Sequence, residues 1–333
     1  MNNEMTENPH PYEGLTPDVV MDAVESVGYR CDARNLVLNS YENRVFQIGL
    51  EEADPLIGKF YRPDRWTDDQ ILEEHEFTRE LFDLEIPVVP PILLNEESTL
   101  AEYLGYRFSL YQRRGGRAPE LDDAESLIIL GRFIGRIHAT GGANLFTYRP
   151  DISVDSYAVT SRSYLLENDY IPAELLPAYE TITAELIDKV SRLFEQCESV
   201  RSIRLHGDCH MGNVLWRDSV PHFVDFDDAR NGPAIQDLWM MLSGSRDQQS
   251  LQIRKILEGY TDFCEFNPLE LRLVEACRTL RIMYHCCWIA RRWDDPAFPR
   301  AFPWFNSQRY WSDHILELRE QLSALDEMPL ELY

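Results

Sequence analysis

Long apolar runs are missing from this chain. No stretch reaches the ~18 residues that a membrane span needs, so membrane insertion is not expected. The opening MNNEMTENPHPYEG has neither a basic n-region nor an apolar h-region, so no secretory signal is expected either. Positive charge is scarce. Lysine and arginine total 32 against 57 acidic residues, a formal net charge of −25. Such a surface repels nucleic acid and anionic lipid, and no basic face offsets it, so neither is an expected partner. The seven cysteines are odd in number, irregularly spaced and free of any CxxC pair. That speaks against a disulfide framework and points to free thiols in the cytoplasm. What is present is a globular composition, 44% hydrophobic and 11% aromatic over 333 residues, which gives room for two lobes.

Patterning divides the chain. Residues 16–27 read as a helix with Thr16 as N-cap and Pro17 at its first position. LVLNSYENRVFQIGL (36–50) reads as two strands around a turn at Ser40 to Asn43, and LIGKFYR (56–62) as another. A helix follows over 66–86 with Thr67 as N-cap, then two strands over 99–113. RRGGR (113–117) marks a boundary. Helical patterns then dominate over 124–141, 173–199, 247–265, 268–293 and 308–325. One β interruption, 201–228, carries a turn at Arg217 to Val220. The expected fold class is therefore α+β: an antiparallel-sheet N-lobe over 1–113 and a larger, mainly helical C-lobe over 114–333.

The densest chemistry lies in LHGDCHMGN. His206, Asp208 and His210 would share one face of a strand and could ligate zinc or iron. Flanking Gly207 and Gly212 speak against a strand. A second reading takes Asp208, Asn213 and Asp225: a proton acceptor and two hard oxygen ligands for Mg²⁺, at the spacing H-x-D-x-x-x-x-N followed by a later Asp. Phosphoryl transfer of that kind requires a lysine on an N-lobe strand and a helix glutamate beside it. Lys59 is the only lysine in the first 188 residues and sits in LIGKFYR. Of Glu73, Glu74, Glu76 and Glu80, only Glu74 shares the apolar face of Ile71, Phe77 and Leu81. An acid in an apolar stripe needs a partner, and Lys59 supplies one. With both requirements met, zinc or iron gives way to nucleotide phosphates.

HGDCHMGN followed by FVDFDDARNGPAIQDLW resembles the aminoglycoside phosphotransferase/choline kinase-like group, whose fold is that of eukaryotic protein kinases. LNSYENRVFQ, KFYRPDRWT and QILEEHEF extend the likeness along nearly the whole chain, toward stress-response serine/threonine protein kinases of bacteria. The resemblance implies a bilobal protein-kinase-like fold, with ATP and Mg²⁺ as cofactors. Asp208 would accept the proton of the substrate hydroxyl, and Asn213 and Asp225 would hold Mg²⁺. Lys59 would contact the ATP phosphates with Glu74 orienting it, and Ser40 would lie in the turn covering those phosphates. Adenine would meet backbone groups within Leu110 to Arg113.

The turn NSYEN contains no glycine, unlike the Gly-rich loop of protein kinases. No APE signature follows Asp225, where an activation segment would lie, so activity without loop phosphorylation is expected. A monomer acting on Ser/Thr of a protein is the expected arrangement. The alternatives are a small-molecule hydroxyl kinase (choline-, homoserine- or aminoglycoside-like) and a nucleotide-binding pseudokinase. Among the remaining features, His206 reads as a buttress of the catalytic loop and Asp237 as a hydrogen-bond partner of its backbone. Met283, Cys286, Cys287 and Ala290 read as core. WDDPAFPRAFPWF (293–305) reads as either a substrate platform or a packed loop.

Overall fold

The computed structural model describes residues 10–94, 98–120 and 123–332. Two compact units emerge. One holds the residues up to Glu76, Val89–Arg114 and Arg292–Pro303; the other holds Phe77–Val88, Gly115–Arg291 and the chain from Trp304 onward.

The first unit opens with α1 (Pro17–Ser26), whose Thr16 side chain accepts the Val19 N–H at 3.3 Å. Strands β1 (Cys31–Val37), β2 (Arg44–Leu50) and β3 (Leu56–Phe60) follow, then α2 (Asp68–Asp83), β4 (Ala101–Tyr103) and β5 (Tyr106–Gln112). All pairings are antiparallel, in the order β1-β2-β3-β5-β4. The turn over Ser40 to Asn43 lies where expected, but β1 starts earlier than the pattern suggests. Its register shifts between Cys31 and Asn35, and Ala33 is left-handed at φ 67°. A bulge breaks the period of two, so the polar CDARN shows no alternation. Thr67 caps α2 as a capping box: its Oγ1 accepts the Gln70 N–H, and Gln70 Oε1 accepts the Thr67 N–H. The apolar residues of α1 (Val20, Val24) bury against Phe46, Ile48, Phe60 and Phe108 of the sheet, and Phe60 stacks on Phe108 at 5.2 Å. Each such side chain contributes roughly 1.5–3 kcal/mol by leaving water.

The second unit contains α3 (Ala124–Gly141), capped by Asp123, then α4 (Thr160–Glu167) and α5 (Leu176–Gln196). Helix α4 had no sequence signature: it emerges from a five-residue π turn at Asp155–Val159 and lacks a capping side chain. Strands β6 (Ser202–Leu205), β7 (Val214–Arg217), β8 (Val220–Phe223) and β9 (Arg230–Pro233) come next. They form two ribbons, β6 with β9 and β7 with β8. Asp218 and Ser219, both left-handed, close the β7–β8 hairpin at the expected turn. Helices α6 (Ile235–Trp239), α7 (Arg246–Tyr260) and α8 (Val274–Ala290) follow; α9 (Ala297–Ala301) belongs to the first unit and α10 (Gln308–Ala324) to the second. Helices α3 and α7 touch backbone to backbone, since a Cβ at Gly131 would collide with the Ile256 carbonyl and one at Gly259 with that of Ile128. Met283, Cys286, Cys287 and Ala290 are core residues of α8. Among the described residues no helix is long and apolar enough to cross a membrane.

Candidate active site

In the helical unit, β6 delivers the chain to His206 and Gly207, so the HGDCH stretch is a loop and not a strand. Gly207 is left-handed at φ +83°, and a Cβ there would strike the Asp228 carbonyl. Asp237, 1% exposed near the start of α6, clamps this bend. Its Oδ2 accepts the His206 N–H at 2.8 Å and its Oδ1 the Gly207 N–H at 2.9 Å. His138 Nε2 stands 3.1 Å from the same Oδ2, and its Nδ1 lies 3.0 Å from the Tyr260 hydroxyl. His206 is fully buried. Its Nε2 donates to the Val224 carbonyl at 2.9 Å, and its ring lies 4.3 Å from that of Phe226. It ties the loop to the strand end that leads to Asp225, the buttress role expected of it.

Asp208 follows. Its Oδ1 lies 2.7 Å from the Arg281 guanidinium of α8, outside good hydrogen-bonding alignment, and its Oδ2 lies 3.6 Å from His210 Nε2. Burial pushes the Asp208 carboxyl above its ordinary value; Arg281 opposes this, Asp228 reinforces it, and His210 opposes it. The Asn213 side-chain amide donates to the Asp208 carbonyl at 3.0 Å, which leaves the carboxamide oxygen turned the other way. Val214 pairs with Phe223, and the next residue out, Val224, donates its N–H to the Asn213 carbonyl at 3.0 Å. Asn213 and Asp225 thus flank the open end of one hairpin. Asp225 is left-handed (φ 61°, ψ 62°), the kind of constrained backbone that concentrates at functional sites. Asp208, Asn213 and Asp225 are therefore brought together as the sequence suggested.

In the sheet unit, Lys59 lies opposite Val45 on β2 and Ser109 on β5. It is 6% exposed, and its Nζ stands 5.3 Å from the centroid of the Tyr61 ring. Glu74 is 3% exposed on the buried face of α2, with Ile71, Phe77 and Leu81, while Glu76 faces solvent. Both charges act on the Tyr61 phenol: burial raises its pKa, Lys59 opposes, and Glu74 adds to the rise. Lys59 and Glu74 therefore meet around one buried ring, which His75 anchors from the helix at 2.7 Å. The Ser40 hydroxyl donates to the Asn43 carbonyl at 3.1 Å and so closes its own turn. Of the backbone groups in Leu110 to Arg113, the Leu110 carbonyl is taken by the Ile92 N–H at 2.7 Å.

Among the described residues no group of three or more His, Cys, Asp and Glu gathers to hold a metal. A zinc or iron site needs such a set. Mg²⁺ needs only one or two protein oxygens, because it keeps waters and phosphate oxygens. The carboxamide of Asn213 and the carboxylate of Asp225 fit it as hard donors. Arg281, His138 and Tyr260 escaped the sequence reading. Their positions relative to the loop are set by packing between distant segments, and no local pattern marks them.

Residues 35–274 match the model of the phosphotransferase enzyme family. Stress response kinase A of Shigella flexneri is 44% identical over 98% of this chain and 99% of its own. Serine/threonine protein kinase RdoA of Salmonella typhimurium is 42% identical over the same shares. Among solved structures, amicoumacin kinase hAmiN in complex with AMP-PNP and Ca²⁺ shares the fold, with a TM-score of 0.72 at 18% identity over 94% of this chain and 95% of that one. The chain belongs to the phosphotransferase enzyme family, and it is an ATP-dependent phosphotransferase.

Proposed function

We propose that this phosphotransferase is a Mg²⁺-dependent serine/threonine protein kinase of the stress-response type. One observation carries the choice of acceptor. The Asp208 carboxylate already has a fixed cation, Arg281, at 2.7 Å, and Asp228 lies 3.8 Å from the Arg230 guanidinium. An ammonium-bearing small molecule would meet arginines at its two nearest acids, whereas a neutral serine or threonine hydroxyl needs only a proton acceptor. The names borne by the relatives at 42–44% identity support the same reading.

In this reading Asp208 takes the proton of the acceptor hydroxyl while that oxygen bonds to the γ-phosphorus and the bond to ADP breaks. Burial raises the basicity of Asp208 above that of an ordinary carboxylate, which suits it to that work. Arg281, at 2.7 Å, favours the ionised form of the carboxylate and holds it in place. Lys59, oriented by Glu74, holds the ATP phosphates. Asn213 and Asp225 would hold Mg²⁺, which when bound neutralises charge on the phosphates. Loop phosphorylation is not required in this reading.

The test is transfer from γ-labelled ATP in the presence of Mg²⁺ to bacterial proteins, set beside choline, ethanolamine, homoserine and an aminoglycoside. Label is expected on phosphoserine or phosphothreonine. Label confined to a small molecule would overturn the protein-kinase reading and install the small-molecule one.

A further inference from the structure

The segment after α8 is packed against the sheet unit by charged and aromatic side chains. Residues 292–303 belong to the sheet unit, and four arginines there share two buried carboxylates. Asp295, 2% exposed, accepts from Arg62 Nη1 and Nη2 at 3.0 and 2.9 Å. It also accepts from Arg44 Nη2, 3.0 Å from each of its oxygens, and from the Ala297 N–H at 3.0 Å. Glu42, the third residue of the Ser40–Asn43 turn, faces Arg62 at 3.3 Å, Arg65 at 3.7 Å and Arg292 at 2.5 Å. The next turn residue, Asn43, accepts the Arg62 N–H at 3.1 Å. Tyr41, at the tip, packs its ring 5.2 Å from that of Phe302.

We propose that residues 292–303 are a built-in clamp on the Ser40–Asn43 turn, with Asp295 as its positioning residue and nucleotide-phosphate affinity as its output. A glycine-rich loop shapes itself to phosphates through backbone freedom. This turn has no glycine, so side chains must impose its shape, and Tyr41 and Glu42 are both held by the C-terminal segment. Arg62 links the two carboxylates: it bonds Asp295 with its guanidinium, faces Glu42 with the same group, and fixes Asn43 with its backbone. The inference rests on the reading that this turn covers the ATP phosphates.

The experiment is steady-state kinetics and thermal melting of Asp295→Asn, Phe302→Ala and Arg62→Met/Asp295→Leu. For Asp295→Asn the KM for ATP is expected to rise about tenfold with the acceptor KM unchanged, and for Phe302→Ala about threefold. The double substitution replaces a buried ion pair by apolar groups, so it is expected to recover the melting temperature and not the KM for ATP. A purely structural segment would recover both, and that result would overturn the proposal. So would a KM for ATP within about twofold of wild type in both Asp295→Asn and Phe302→Ala. Ser40→Asp separates the two layers. If it leaves the KM for ATP unchanged, the turn does not cover phosphates and the clamp falls with that reading. If it raises the KM while the segment variants do not, only the clamp falls.

Discussion

Removing the Asp237 carboxylate is the sharpest perturbation of the loop that carries Asp208. In Asp237→Ala the His206 and Gly207 amides, bonded at 2.8 and 2.9 Å, lose their acceptor inside a buried site. Each orphaned buried donor costs about 1–3 kcal/mol, so the pair costs on the order of 3 kcal/mol. In a domain of roughly 150–250 residues that lowers the melting temperature by about 6–12 °C. Asp237→Asn retains one acceptor oxygen and presents an amide to the other donor, so about half of that loss is expected. Both variants displace the bend at Gly207, and displacement of a reacting group by about 1 Å costs about 10²-fold in kcat. Calorimetry and phosphotransfer rates on the same preparations check this. A fall of under about 2 °C with kcat intact would refute the assignment of Asp237 as the clamp.

Three further outcomes follow from the same geometry. Gly207→Ala forces a Cβ against the Asp228 carbonyl at a left-handed position, so a loss of about 2 kcal/mol or more in denaturant melts and a collapse of activity are expected. Arg281→Met removes the cation beside Asp208; a kcat lower by about tenfold is expected, with peptides carrying lysine beside the serine gaining relative to acidic ones. Burial raises Glu270 from 4.5 to about 7, although it accepts the Ile235 N–H at 2.8 Å. Between those values the folded state keeps a proton that the unfolded chain releases, so stability falls as pH rises through that window, by on the order of 2 kcal/mol. Urea midpoints across that range are expected to show the decline in wild type and a flatter profile in Glu270→Gln.

The site was most legible where function is local. Asp208, Asn213 and Asp225 are close in sequence, one hairpin brings Asn213 and Asp225 to its open end, and the Asn213 amide bonds the Asp208 carbonyl, so their nearness was legible from spacing. Glu74 could be picked from four glutamates because helical periodicity encodes burial, and the structure buries it while exposing Glu76. Asp237 was legible as the partner of the loop backbone. The start of β1 was hidden by its bulge, and β9 by the absence of alternation in RNGP, which is buried throughout. Helix α4 was hidden by its π turn. Arg281 and Asp295 were invisible for a different reason. Their partners lie on segments far away in the chain, and only tertiary packing decides which charge meets which. The aromatic and proline-rich stretch 293–305 was recognised as more than a linker, yet its sequence could not separate platform from packed segment. Asp295 packs it against Arg62 and Arg44, from the other end of the chain.

The most direct measurement is single-turnover transfer of the γ-phosphoryl group of ATP to a serine-containing protein acceptor by wild type and Asp208→Asn, with nucleotide binding followed in parallel. Asp208→Asn is expected to bind ATP as wild type does and to transfer phosphate about 10²–10⁴-fold more slowly. Transfer by Asp208→Asn at the wild-type rate would contradict the assignment of Asp208 as the proton acceptor.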